Sequence, residues 1–129
     1  DDISEGGLVD GIGTIARFRE IERLSWQDAE ETLLLISDQA NSRIRLVDVE
    51  SLETTTVAGG GAEGDGLGTD ALFIRPRTVN ADVQRGYAYV GQNGKIRALK
   101  LNDYEVTTIA GDVIQGVSDG IGTAVRIRE

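Results

Sequence analysis

The sequence predicts an all-β protein built from tandem four-stranded antiparallel units, and three observations carry that reading. The pentapeptide DG-x-GT stands at 10–14, 65–69 and 119–123, so one glycine-rich signature returns every 54 or 55 residues. Other patches return with it in the same order: SRIRLVDV at 42–49 answers GKIRALKL at 94–101, and TTTVAG at 54–59 answers VTTIAG at 106–111. Apolar residues come in short bursts such as LLLI at 33–36 and YAYV at 87–90, and no long window carries a capped helical stripe. A period of this length marks a repeat architecture. Repeat 1 covers about 10–64, repeat 2 about 65–118, and 119–129 is the entrance to a third.

Each repeat opens with its DG-x-GT connector. The aspartate is expected to accept hydrogen bonds from amides of its own turn, the glycines to supply left-handed backbone and close passage, and the threonine to add a local bond. Asp10, Gly11, Gly13 and Thr14 play these parts in the first copy, and Asp65, Gly66, Gly68 and Thr69 in the second. Asp119, Gly120, Gly122 and Thr123 form the third. A phosphate nest or a calcium loop is the competing reading of such a motif. No copy ends in the Lys-Ser or Lys-Thr of a nucleotide loop, and none has spaced EF-hand oxygens.

Strands of the first repeat are predicted near Glu22–Trp26, Leu33–Ser37, Arg43–Val49 and Thr54–Ala58. Those of the second are predicted near Arg77–Asn80, Tyr87–Gly91, Lys95–Leu101 and Glu105–Ala110. Asn93-Gly94 supplies the positive φ angles of a tight hairpin turn, with Asn41-Ser42 as its looser counterpart. Alternation in IRLVDV and IRALKL selects Ile44, Leu46 or Val47, Ile96 and Leu99 as core. The unalternating LLLI run fits a strand buried on both sides. GGGAEGDG at 59–66 reads as a flexible connector between units.

A small sheet with two apolar faces needs a neighbour on each, which points to a solenoid or a radial propeller. DGIGTIARF, RIRLVD and TTTVAG, followed by DGLGTDALF, KIRALK and VTTIAG, resemble the long repeat of NHL-type β-propellers, in which a DG-x-GT-x-ARF segment leads into each blade. The resemblance spans nearly the whole chain. It implies two β-propeller blades of four antiparallel strands plus the entrance to a third, with Phe18, Phe73 and Ile127 packing between blades. The proline usual after ARF is present as Pro76 but is Ile21 in the first repeat, and the usual glycine is Arg23 or Thr78.

Composition narrows the function. The formal charge of -9 opposes non-specific attraction to nucleic acid or to an anionic membrane, and no apolar run is long enough to span one. With neither histidine nor cysteine, a zinc site or a Ser-His or Cys-His pair has to be completed from outside this chain. No metal site or cofactor is expected. The absence of methionine and of a secretory leader suggests a piece of a longer protein, and the compartment stays open.

Candidate contact residues are Trp26, facing a central channel, and a basic rim of Arg43, Arg45, Lys95 and Arg97. The competing structural reading makes Trp26 a core residue and the four cations solvated or paired strand residues. Asp38 and Asp48 form no evident acid-base pair. The leading function is a non-catalytic propeller segment serving protein recognition or as a scaffold. The resemblance leaves two alternatives: part of a metal-dependent lactonase-like or lyase-like propeller, or a sensory or receptor ectodomain. Two blades do not close a ring, so either adjoining sequence of a longer parent completes it or several copies of this chain assemble, three copies giving six blades; the expected partner is a protein or further copies of this chain.

Overall fold

The computed structural model describes residues 7–111 and 119–122. Ten strands form two sheets of one design. The first holds β1 (Gly11–Ile12), β2 (Ile21–Trp26), β3 (Leu33–Asp38), β4 (Arg43–Asp48) and β5 (Glu53–Ala58). The second holds β6 (Gly66–Leu67), β7 (Thr78–Asp82), β8 (Tyr87–Gln92), β9 (Lys95–Lys100) and β10 (Glu105–Gly111). All pairings within the sheets are antiparallel, in spatial order β1-β5-β4-β3-β2 and β6-β10-β9-β8-β7. Every predicted strand is present within two residues of its expected bounds. Among the described residues no helix is long and apolar enough to cross a membrane.

The difference from the expected four strands is a fifth, two-residue strand contributed by each DG-x-GT connector. Gly11 and Ile12 pair with Thr54 and Glu53, and Gly66 and Leu67 with Val106 and Glu105. Each connector therefore caps the outer strand of the blade it leads into, shortening an exposed edge. A left-handed glycine then turns the chain, at φ 59° in Gly13 and 55° in Gly68. Gly122 has φ 59°, so the third copy bends as the first does.

The two blades pack face to face. Leu35, Ile44 and Ala58 of the first meet Ala71, Phe73, Val79, Ala88, Val90, Leu99 and Val106 of the second in one buried cluster. Ser37 Oγ donates to the Arg77 carbonyl at 3.4 Å, and the Ala81 amide donates to Ser25 Oγ at 2.9 Å, which fixes the register between blades. Ile44 and Leu99 are core as expected, and Leu46 packs against the cluster. Ile96 is only half-buried. It occupies the position of Ile44 one repeat later, and no blade among the described residues covers it.

The LLLI run divides between the two faces of its strand. Leu35 and Ile36 are buried on opposite sides, while Leu33 and Leu34 are half-buried. Phe73 is fully buried between the blades, whereas Phe18 stays half-buried on the first blade's outer side. Ile127 lies outside the described residues. The 59–66 stretch is a bound strap, not the flexible connector expected. The Gly61 amide donates to the Ala71 carbonyl at 2.9 Å, the Leu72 amide to the Gly64 carbonyl at 2.9 Å, and Gly59 to Gly68 at 3.3 Å.

Candidate functional site

Each blade is organised around one buried arginine in its third long strand. Arg45 and Arg97 have no solvent exposure, which corrects their reading as members of a basic rim. Arg45 Nη1 donates to Asp38 Oδ2 at 2.8 Å and to the Arg17 carbonyl at 2.9 Å. Its Nη2 donates to Asp10 Oδ1 at 3.0 Å and to the Val9 carbonyl at 2.9 Å. Arg97 repeats the pattern, donating to Asp65 Oδ1 at 2.9 Å and to the carbonyls of Leu72 and Gly64 at 2.9 and 2.6 Å. The guanidinium carbons lie 4.7 Å from the Phe18 centroid and 5.0 Å from that of Phe73. Ion pairing, backbone acceptors and an aromatic face together offset the cost of burying the charge.

The connector aspartates, expected to organise their own turns, instead bond across the blade. Asp10 accepts from the Thr56 amide and hydroxyl at 3.2 and 2.9 Å, and Asp65 from those of Thr108 at 3.0 and 2.8 Å. The carboxylate bridges the outer strand and the buried arginine, so the motif locks a connector onto its blade. Asp119 is exposed, and the residues that complete its turn lie outside the described ones.

Partial burial of Asp65 works against ionisation, but the Thr108 hydroxyl and amide, followed by Arg97, outweigh it and hold the carboxyl below its ordinary range. A depressed native pKa gives stability that is complete above the unfolded value, near ~3.9, and is lost as pH falls through the native value. The urea midpoint is therefore expected to drop on acidification below about pH 4, with part of that dependence missing in Asp65→Asn. An identical acid dependence in the variant would remove this role.

The remaining members of the predicted rim separate from one another. Arg43 is half-buried and donates to the Asn41 carbonyl at 2.8 Å beside Gly60, while Lys95 lines a different surface hollow together with Arg77. Trp26 is half-buried at the end of β2, opposite Leu34. Asp48 accepts from the Glu50 and Ser51 amides and closes a turn.

The structure gathers other residues at the blade junction. A cavity of about 300 Å³ opens between the loops there, lined by Glu20, Glu22, Gln39, Ile74, Arg75, Arg77 and Asn93. Six of these form three pairs at equivalent repeat positions: Glu20 with Arg75, Glu22 with Arg77, and Gln39 with Asn93. The first blade thus supplies an acidic wall and the second a basic one. Gln39 is buried, and its Nε2 donates to Glu20 and Glu22 at 3.2 and 3.0 Å in the amide orientation that satisfies its neighbours. Arg75 is held at φ 49° and reaches Glu20 at 3.5 Å through a solvent-exposed ion pair. Such a pair contributes about 0–1 kcal/mol, so its charges can be exchanged for those of a ligand at little cost. The sequence signal for this site was the charge reversal between equivalent positions, which a search for repeated residues passes over.

Two blades of this order, joined by connectors that run from outer edge to inner strand, define a segment of a β-propeller. No family model matches the chain. It is 30% identical over 115 residues to NHL repeat-containing protein 2 of Bos taurus, covering 81% of this chain and 14% of the relative. Against the Homo sapiens protein of the same name it is 30% identical over 90 residues, covering 70% and 11%. An auxiliary nutrient binding protein from Bacteroides ovatus shares the fold with a TM-score of 0.58 at 24% identity, over 84% of this chain and 27% of that one. Its counterpart from Bacteroides thetaiotaomicron gives 0.56 at 21%, over 79% and 26%. The chain belongs to the NHL-repeat family, and it spans about one seventh of the length of the bovine relative.

Proposed function

We propose that this propeller segment is a non-catalytic recognition module whose loop face binds a polypeptide partner at the junction cavity. The observation that supports it is the opposed charge of the two walls. The connector aspartates Asp10 and Asp65, their threonines Thr56 and Thr108 and the buried Arg45 and Arg97 keep their identity between repeats, whereas the cavity positions have changed sign from Glu20 and Glu22 to Arg75 and Arg77. The fitting ligand is an extended segment with neighbouring acidic and basic side chains, which would replace the exposed Glu20–Arg75 bridge by two charge-assisted pairs. Two solved structures of like fold are auxiliary nutrient binding proteins, which supports a binding role.

The test is fluorescence titration with short synthetic peptides that present Lys and Glu in either order, against peptides of uniform charge. Mixed-charge peptides should bind, and Arg75→Glu with Arg77→Glu should weaken binding about tenfold or more, the equivalent of about 1.4 kcal/mol. Binding that ignores these substitutions, or no binding by any peptide, overturns the site. Turnover of a lactone by the purified chain overturns the non-catalytic reading.

A further inference from the structure

A second cavity, of about 450 Å³, opens where the outer edge of the first blade meets the strap that leads into the second. Leu8, Asp10, Arg43 and Thr56 line it from the first repeat, and Gly60 and Thr69 from the strap and the second connector. Its volume falls in the range of roughly 300–1,000 Å³ that small-molecule sites occupy. It shares no residue with the junction cavity.

Arg43 is the cation of this cavity. Its Nη1 donates to the Asn41 carbonyl at 2.8 Å, but the guanidinium has no carboxylate partner among the described residues. The other edge lies against Gly60, held at φ 95°, where an added Cβ would stand 2.8 Å from Nη2 and 2.9 Å from Nε. A bare glycine thus leaves the Nε–Nη2 fork clear. The repeats differ at just this point. In sequence, Arg43 and Gly60 correspond to Lys95 and Asp112, so the second repeat carries a carboxylate of its own at the strap position and the first does not.

The other walls complement hydroxyl groups. The Asp10 side chain is 47% exposed, and its Oδ2 accepts from the Thr56 amide at 3.2 Å, which leaves that oxygen a further lone pair. Thr69 lends an exposed hydroxyl, and Leu8, at 41% exposure, an apolar surface.

We propose that this cavity binds a small hydroxylated carboxylate, of the kind a sugar acid presents. The ligand carboxylate takes the Nε–Nη2 fork of Arg43 side-on, the bidentate geometry that arginine favours. Its hydroxyls donate to Asp10 Oδ2 and exchange hydrogen bonds with Thr69, while its C–H groups rest on Leu8. Asp10 also selects the charge of the ligand: a phosphate, carrying about −1.5 to −2, is repelled more strongly by that carboxylate than a monoanion is. This inference is independent of the proposed recognition role, since the two cavities are separate.

Isothermal titration of the protein with D-glucuronate tests it. Glucuronate should bind at one site, and glucose, acetate and inorganic phosphate each about tenfold or more weakly, because they lack the carboxylate, the hydroxyls or the single charge. Arg43→Gln should weaken glucuronate binding about tenfold or more, since it removes a charge-assisted bidentate pair. Gly60→Asp, which gives the first repeat the carboxylate of the second, should abolish binding with the β-sheet circular dichroism retained. If strain at φ 95° prevents that variant from folding, Leu8→Glu replaces it, placing at an exposed position the residue type of Glu63 in the second repeat, and should also repel the acid. Arg75→Glu with Arg77→Glu should leave the affinity unchanged; a loss there moves the acid to the junction cavity and overturns the proposal. No binding of glucuronate, an affinity indifferent to Arg43→Gln, or a preference for phosphate overturns it as well.

Discussion

Gly61→Ala is expected to destabilise the protein by about 3 kcal/mol, at the upper end for overpacking a filled site. A Cβ on Gly61 would lie 1.9 Å from the Asp70 carbonyl oxygen and 2.3 Å from its carbon. Both are backbone atoms, so no rotamer change relieves the clash. The strap must move off the second connector, and its amide then leaves the Ala71 carbonyl, to which it donates at 2.9 Å. Ala71 and Phe73 follow in the same segment and are fully buried in the inter-blade core, so the displacement reaches the main apolar cluster. Gly64→Ala is the control. Its added Cβ meets nothing within 4 Å, and the expected change is about 0.5 kcal/mol or less. Urea unfolding monitored by Trp26 fluorescence should separate the two variants clearly, and equal midpoints would show that the strap yields without cost.

The blades were legible because sequence and structure share a period. Alternation located Ile44 and Leu99, and Asn93-Gly94 located the β8–β9 hairpin, since these depend on neighbours within one sheet. The fifth strand was not legible, because a pairing of two residues with an outer strand some 40 positions away leaves no local pattern. Arg45 and Arg97 alternate with apolar neighbours as surface residues would. Their burial follows from partners far along the chain, Asp10 and Asp65 among them. One sign was present: an arginine at the same repeat position in both units, each accompanied by an upstream aspartate and, three residues before the glycine that follows TTVA or TTIA, by a connector-gripping threonine. Ile96 was misjudged for the opposite reason, because its pattern describes a blade with neighbours on both faces.

Asp38→Asn is expected to cost about 3 kcal/mol, the lower end for breaking a buried ion pair. Asp38 and Arg45 have fully buried side chains at 2.8 Å, and the carboxylate carries four bonds in all. Oδ1 accepts from the Arg19 and Glu20 amides at 3.0 and 3.1 Å, while Oδ2 accepts from Arg45 and from Asn41 Nδ2 at 2.7 Å. An amide can satisfy only one of these sides. If its oxygen serves the connector, its nitrogen points at two donors and Arg45 loses its buried counter-charge. The second blade shows what an amide can do at this position: Gln92 Oε1 accepts from the Ile74 amide at 3.1 Å, and Arg97 relies on Asp65 alone for charge. Asp10 still pairs with Arg45 in the variant, which keeps the loss from the upper end of the range. Asp10→Asn should cost less, about 1 kcal/mol, since that carboxylate is nearly half exposed. Hydrogen exchange distinguishes the two. Asp38→Asn should speed exchange at the Arg19 or Glu20 amides, and Asp10→Asn at Thr56, so a uniform acceleration across the chain in both variants would mean that neither carboxylate holds its connector in place.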